Sequence, residues 1–128
     1  MSDIKELENI ASEFIDKRDW RKFHTLKDLA MNCSIESNEL LELFLWRDKE
    51  FENNIINGND NESLKKIKNE VSDVLFSCFA IADHLNFNLE DAYRNKMDEL
   101  DQRYNAEKVK GKLVKIPSPD NKKEIKED

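Results

Sequence analysis

Little in this sequence interrupts a helix. Only two glycines and two prolines occur in 128 residues, and these are the residues that most often end helices or turn strands. A fold of many short strands joined by tight turns is therefore disfavoured. Cysteine is almost as scarce. Cys33 and Cys78 each sit among apolar neighbours, the pattern of small core residues in a reducing compartment rather than of a disulfide framework. No apolar run reaches the ~18 residues that a membrane span requires. The first ten residues, MSDIKELENI, are acidic and amphipathic and do not resemble a secretory signal. The expected location is the cytoplasm. A basic surplus is missing as well. The formal net charge is −7, which argues against binding nucleic-acid backbones. It does not argue against a nucleotide, because a bound cation can reverse the local charge.

What remains is helix-forming. Charged residues make up 38% of the chain, and apolar residues recur at helical spacing. Ile4, Leu7, Ile10, Ala11, Phe14 and Ile15 predict a first amphipathic helix from about Ser2 to Arg18, with Ser2 or Asp3 as its cap. The cluster RDWRKFH then breaks the stripe. A long second helix is expected from about Thr25 to Arg47. The stretch NNIINGNDN reads as the clearest loop. A third helix runs from about Glu62 to Leu85. Asn88 is the expected N-cap of a fourth, which ends near Tyr104. The fold class is all-α, a four-helix bundle-type subunit, with a catalytic domain over 1–107 and a charged, mobile tail over 108–128.

Two acidic pairs stand inside the apolar stretches. The second helix carries Glu36 and Glu39, and the third carries Glu70 and Asp73. Positions i and i+3 lie about 60° apart round a helix. Each pair can therefore point at one spot, and antiparallel packing would bring all four carboxylates together. Like charges that close raise one another's pKa values, and a bound cation removes that cost. Oxygen-only ligands suit Mg²⁺ or Mn²⁺ rather than zinc. Two plainer readings compete. Ser34 can be an N-cap, which would make Glu36 a first-turn acid that complements the helix dipole. Glu39 and Glu70 can be ordinary solvated acids.

The order and spacing of RDWRKFHTLKDLA, ESNELLELFLW, EVSDVLF and NKMDEL…RY resemble the MazG-type nucleoside triphosphate pyrophosphohydrolases. The resemblance covers about Arg18 to Tyr104 and is strongest to the dCTP pyrophosphatase-like branch. It implies an all-α dimer or tetramer with active sites near the subunit contact. It also implies Glu36, Glu39, Glu70 and Asp73 as Mg²⁺ ligands, with Mn²⁺ as an alternative ion. The Trp20, Arg21, Lys22, Phe23 and His24 stretch and Trp46 match positions that line the nucleoside pocket. Asn95, Lys96 and Arg103 fall where the family faces substrate or subunit contact. The sequence departs from the pattern at Ile35 and Asn38, where the family often has glycine, and at Asn105, where the branch has proline. Ala11 and Ser77 stand where the branch carries a histidine and a tyrosine.

The implied reaction is hydrolysis between the α- and β-phosphates of a dCTP-like pyrimidine nucleotide, giving a nucleoside monophosphate and pyrophosphate. Glu39 is the first choice to orient the attacking water, with Glu36 next. The alternatives are a phosphoribosyl-ATP or dUTP pyrophosphohydrolase on the same architecture, and a non-catalytic helical interaction protein.

Overall fold

The computed structural model describes residues 3–120, and no strand occurs among them. The elements are α1 (Asp3–Lys17), a 3₁₀ turn (Arg21–Phe23), α2 (Leu26–Glu42), α3 (Lys49–Ile56), α4 (Asn61–Leu85), α5 (Leu89–Arg103) and α6 (Ala106–Val109). The expected cap Ser2 lies outside the described residues. The chain divides into two compact units, Met1–Phe87 and Asn88–Asp128. The boundary expected near residue 107 falls inside the second unit.

In the first unit α4 is the central element, with α1, α2 and α3 all packed against it. Ile15 of α1, Leu29 of α2 and Ala80 of α4 are buried together, with Phe76 and Ile81 packed round them. The small Ala80 lets the helices approach closely. Capping side chains set the helix starts. Thr25 Oγ1 accepts from the Asp28 amide at 3.1 Å, and Asp60 accepts from the Ser63 amide at 3.0 Å. That hydrogen-bonded contact with Ser63 holds the Asp60 carboxyl below the usual range. Asn86 ends α4 in the left-handed region at φ 54°, which Asn tolerates better than most residues.

Two elements differ from the sequence expectation. The second helix stops at Glu42 rather than at Arg47, and Trp46 turns the chain at φ 62°. The segment expected to begin a loop at Asn53 is still helical to Ile56. Asp48 Oδ1 accepts from the Phe51 amide at 3.1 Å and starts α3. Phe51 then packs edge-on against Phe44 with centroids 6.1 Å apart, under the Arg47 guanidinium at 4.7 Å. This cap and packing outweigh the weak helix preference of the asparagines. The loop shrinks to a few residues round Gly58, whose φ of 79° suits a residue without Cβ.

In the second unit Asn88 Oδ1 accepts from the Asp91 amide at 3.0 Å and caps α5, as the sequence suggests. Residues 106–109 are helical. The Tyr104 hydroxyl accepts from the Ile116 amide at 3.0 Å and donates to the Ile116 carbonyl at 3.2 Å. Residues 121–128 of the expected mobile tail lie outside the described residues.

Candidate functional site

Thr25 caps α2, so Ser34 and Glu36 lie in the helix interior. The capping explanation of Glu36 therefore fails, because no free amides of a first turn surround it. The register between α2 and α4 is set by a polar pair inside the interface. Asn32 Nδ2 donates to Ser77 Oγ at 3.2 Å, and Ser77 Oγ donates to the Asp73 carbonyl at 3.2 Å. One turn further along α2 comes Glu36, and one turn back along α4 comes Asp73.

Carboxylate oxygens of Glu36, Glu70 and Asp73 all lie within 4.8 Å of one another. Glu39 is in hydrogen-bonding contact with both Glu36 and Glu70. Glu36 and Glu70 are half-buried, while Asp73 is exposed. The electrostatics follow from this crowding. Burial first, then hydrogen bonding to Glu39 and the charges of Glu39, Asp73 and Glu70, push the Glu36 carboxyl up to about 7. The Glu70 carboxyl is also raised, by burial and by the charges of Glu39 and Asp73. One oxygen each of Glu36 and Glu70 is buried without a hydrogen-bond partner. Unpaired buried carboxylate oxygens are costly. The set therefore fits a hard divalent cation, for which such oxygens are the usual ligands.

Arg21 is fully engaged within the first unit. It donates to Asp16 at 2.8 Å and to Ser12 at 3.1 Å, and it pairs with Asp83. Its hydrogen bonds to Asp16 and Asp83 raise its pKa further and lower that of Asp16. Lys22 pairs with Asp19 at 2.7 Å. Trp20 packs edge-on against Phe14 at 5.8 Å. Phe23 is largely exposed and His24 closes the 3₁₀ turn. Ser77 is buried, with both its bonds made inside the protein. Trp46 is 99% exposed. Asn95, Lys96 and Arg103 lie on α5 in the second unit, where Glu99 pairs with Lys96 at 3.3 Å and with Arg103 at 3.6 Å.

A sequence model of the MazG-like family matches residues 31–115, which hold both acidic pairs. The chain belongs to the MazG-like family. It is 31% identical over 113 residues to dCTP pyrophosphatase 1 of Rattus norvegicus, covering 88% of this chain and 65% of that protein. To the Homo sapiens protein of the same name it is 32% identical over 104 residues, or 80% of this chain and 59% of that one. The chain thus spans less than two thirds of the length of these curated relatives. Among solved structures, a pyrophosphatase from Archaeoglobus fulgidus is similar with a TM-score of 0.68 and 33% identity, over 81% of this chain and 94% of that one.

One feature of this MazG-like chain was not legible in its sequence. A largely apolar groove of about 560 Å³ runs between α1 and α4, with Leu7, Ala11, Phe14, Phe76 and Asp73 among the residues that line it. One wall is the α1 stripe and the other is α4, and both read as ordinary core. The only sequence signal is Ala11, a small residue between larger apolar ones. Phe14 and Phe76 meet edge-on at 5.6 Å, and the Arg18 guanidinium lies over the Phe14 ring at 3.7 Å.

Proposed function

We propose that this chain is a divalent-cation-dependent nucleoside triphosphate pyrophosphohydrolase acting on dCTP-like pyrimidine nucleotides. The observation that carries the reading is the convergence of acids from α2 and α4 with unpaired buried oxygens on Glu36 and Glu70. The named relatives support it by likeness. Glu36, Glu39, Glu70 and Asp73 are the residues to hold the cation, Mg²⁺ first and Mn²⁺ as an alternative. When bound, that cation supplies charge neutralisation of the triphosphate and a lowered pKa for water. Glu39, beside Glu36 and Glu70, accepts a hydrogen bond from the attacking water and orients it towards the α-phosphorus. The groove that Asp73 helps to line takes the sugar and base against Phe14 and Phe76. Incubation with dCTP and Mg²⁺ tests the reaction. Equal release of dCMP and pyrophosphate is expected, and release of orthophosphate instead would overturn the reading.

The groove also bears on selectivity. Aromatic walls stack on any base and discriminate little, whereas strong discrimination needs polar groups that a wrong base leaves unpaired. Ala11 offers no side-chain bond, and Ser77 spends its hydroxyl on Asn32 and the Asp73 carbonyl. The expected kcat/KM values for dCTP, dTTP, dUTP, dATP and CTP span less than about a thousandfold, roughly 4 kcal/mol. A sharper preference for dCTP would mean that another residue reads the base. The same panel extended with phosphoribosyl-ATP separates the related activities on this architecture.

The active form proposed here is a homodimer or a dimer of dimers. Met31, Ile35 and Leu41 on α2 are 52%, 52% and 55% exposed, and Val71 and Leu75 on α4 are 49% and 44% exposed. These residues flank the acids on the same two helices. The obligate contact that covers them is expected to bury over about 2,000 Å² in all, as such interfaces do. Light scattering at micromolar concentration is expected to give at least twice the chain mass of 15.1 kDa, and a monomer would count against this assembly.

A further inference from the structure

Cys33 and Cys78 take no part in the chemistry above. Both are free and half-buried, and they are the only cysteines in the chain. They stand on different helices, yet in one layer of the α2–α4 interface. The Asn32 to Ser77 hydrogen bond of 3.2 Å pairs one turn of α2 with one turn of α4, and each cysteine is the next residue along its helix. That shared layer brings the Cys78 thiol within reach of the Cys33 sulfur. A single buried cysteine packs as a small apolar residue. Two that touch across a helix interface form a dithiol.

We propose that Cys33 and Cys78 are a modification site for hydroperoxides, which convert the pair into a disulfide that cross-links α2 to α4. The chemistry needs only the peroxide as two-electron oxidant. The Cys33 sulfur attacks the peroxide O–O bond, giving a sulfenic acid and releasing water (or an alcohol, from an organic peroxide). The Cys78 sulfur then displaces the sulfenic hydroxyl. The S–S bond forms, and the hydroxyl leaves as a second water with the Cys78 proton. Burial and the neighbouring Cys33 push the Cys78 thiol up. A raised thiol is the poorer first nucleophile, so the first attack is assigned to Cys33. The cross-link falls on the helices that carry all four acids. Cys33 lies one turn before Glu36, and Cys78 lies just past the Asp73 to Ser77 turn. A reducing compartment holds the dithiol form.

The test uses the full chain, treated with hydrogen peroxide and, separately, with diamide, which accepts the same two electrons and two protons. Alkylation and intact-mass measurement are expected to show loss of both alkylatable thiols, a monomer mass lower by two hydrogens, and no retained oxygen. Peptide mapping should join Cys33 to Cys78, and dithiothreitol should restore both thiols. Closing a long loop should also raise Tm by about 5 °C or more. Cys33→Ser and Cys78→Ser should each keep one alkylatable thiol and show no intrachain link. The proposal is overturned if both thiols stay alkylatable under both oxidants. It is equally overturned if the disulfides join separate chains, or if oxygen adducts accumulate without a cross-link. These readouts do not depend on nucleotide hydrolysis, so their failure would leave the proposed activity untouched.

Discussion

Glu39→Gln and Asp73→Asn are each expected to reduce pyrophosphate release by roughly a hundredfold to a thousandfold or more, the scale on which one electrostatic contact to a transition state is lost. Neither change should unfold the chain. Asp73 is exposed and Glu39 half-buried, and both sit inside helices whose starts are fixed elsewhere, by Thr25 and Asp60. Without the cation these variants should be at least as stable as the parent. Each removes a negative charge from a site where Glu39 and Asp73 both raise the Glu36 carboxyl. An active site commonly trades stability for function in this way. The measurement is therefore paired, with hydrolysis in Mg²⁺ and thermal unfolding in EDTA. Loss of activity with an unchanged or higher Tm is the expected result. Near-normal turnover in either variant would remove these carboxylates from the mechanism.

The helices were legible because their apolar spacing agrees with their caps. Thr25, Asp60 and Asn88 each precede a periodic stretch, and each side chain accepts from an amide three residues on. The convergence of Glu36, Glu70 and Asp73 was legible too, because i,i+3 spacing on two facing helices leaves few other arrangements. Elsewhere tertiary packing decided against local preference. Asparagines round Ile55 look like a loop until Phe51 has Phe44 to pack on. Trp46 looks like the end of a helix, yet it sits in a left-handed turn with its indole in solvent. Arg21 belongs to the stretch expected to line the nucleoside pocket, and Asp16, Ser12 and Asp83 hold its guanidinium. The groove was invisible for a related reason. Periodicity tells which α1 residues share a face, not whether that face meets α4 tightly or leaves a cleft.

The pH dependence of stability should reverse when the cation is added. In the folded chain Glu36 titrates near 7, against about 4.3 for an unperturbed glutamate. Below about pH 4 both folded and unfolded chains hold this proton, and its contribution to stability is fully present. Between about 4.3 and 7 the unfolded chain releases the proton while the folded chain keeps it, so stability falls as pH rises. Above 7 the loss is complete and levels off. In EDTA, Tm should therefore decline from pH 5 to pH 8, with the raised Glu70 carboxyl adding in the same direction. Glu36→Gln, which carries no proton to lose, should flatten most of that slope. A divalent cation competes with the same protons, so it binds more tightly as pH rises. At roughly 100 times its Kd, a ligand of the folded state adds about 2.7 kcal/mol, or roughly 10 °C for a domain of this size. The Mg²⁺-induced rise in Tm should approach that value at pH 8 and be much smaller at pH 5. Thermal unfolding at both pH values, with Mg²⁺ and with EDTA, decides the matter. A Tm in EDTA that climbs from pH 5 to pH 8, or a Mg²⁺ effect equal at the two, would mean that the four acids do not share their protons or hold the ion.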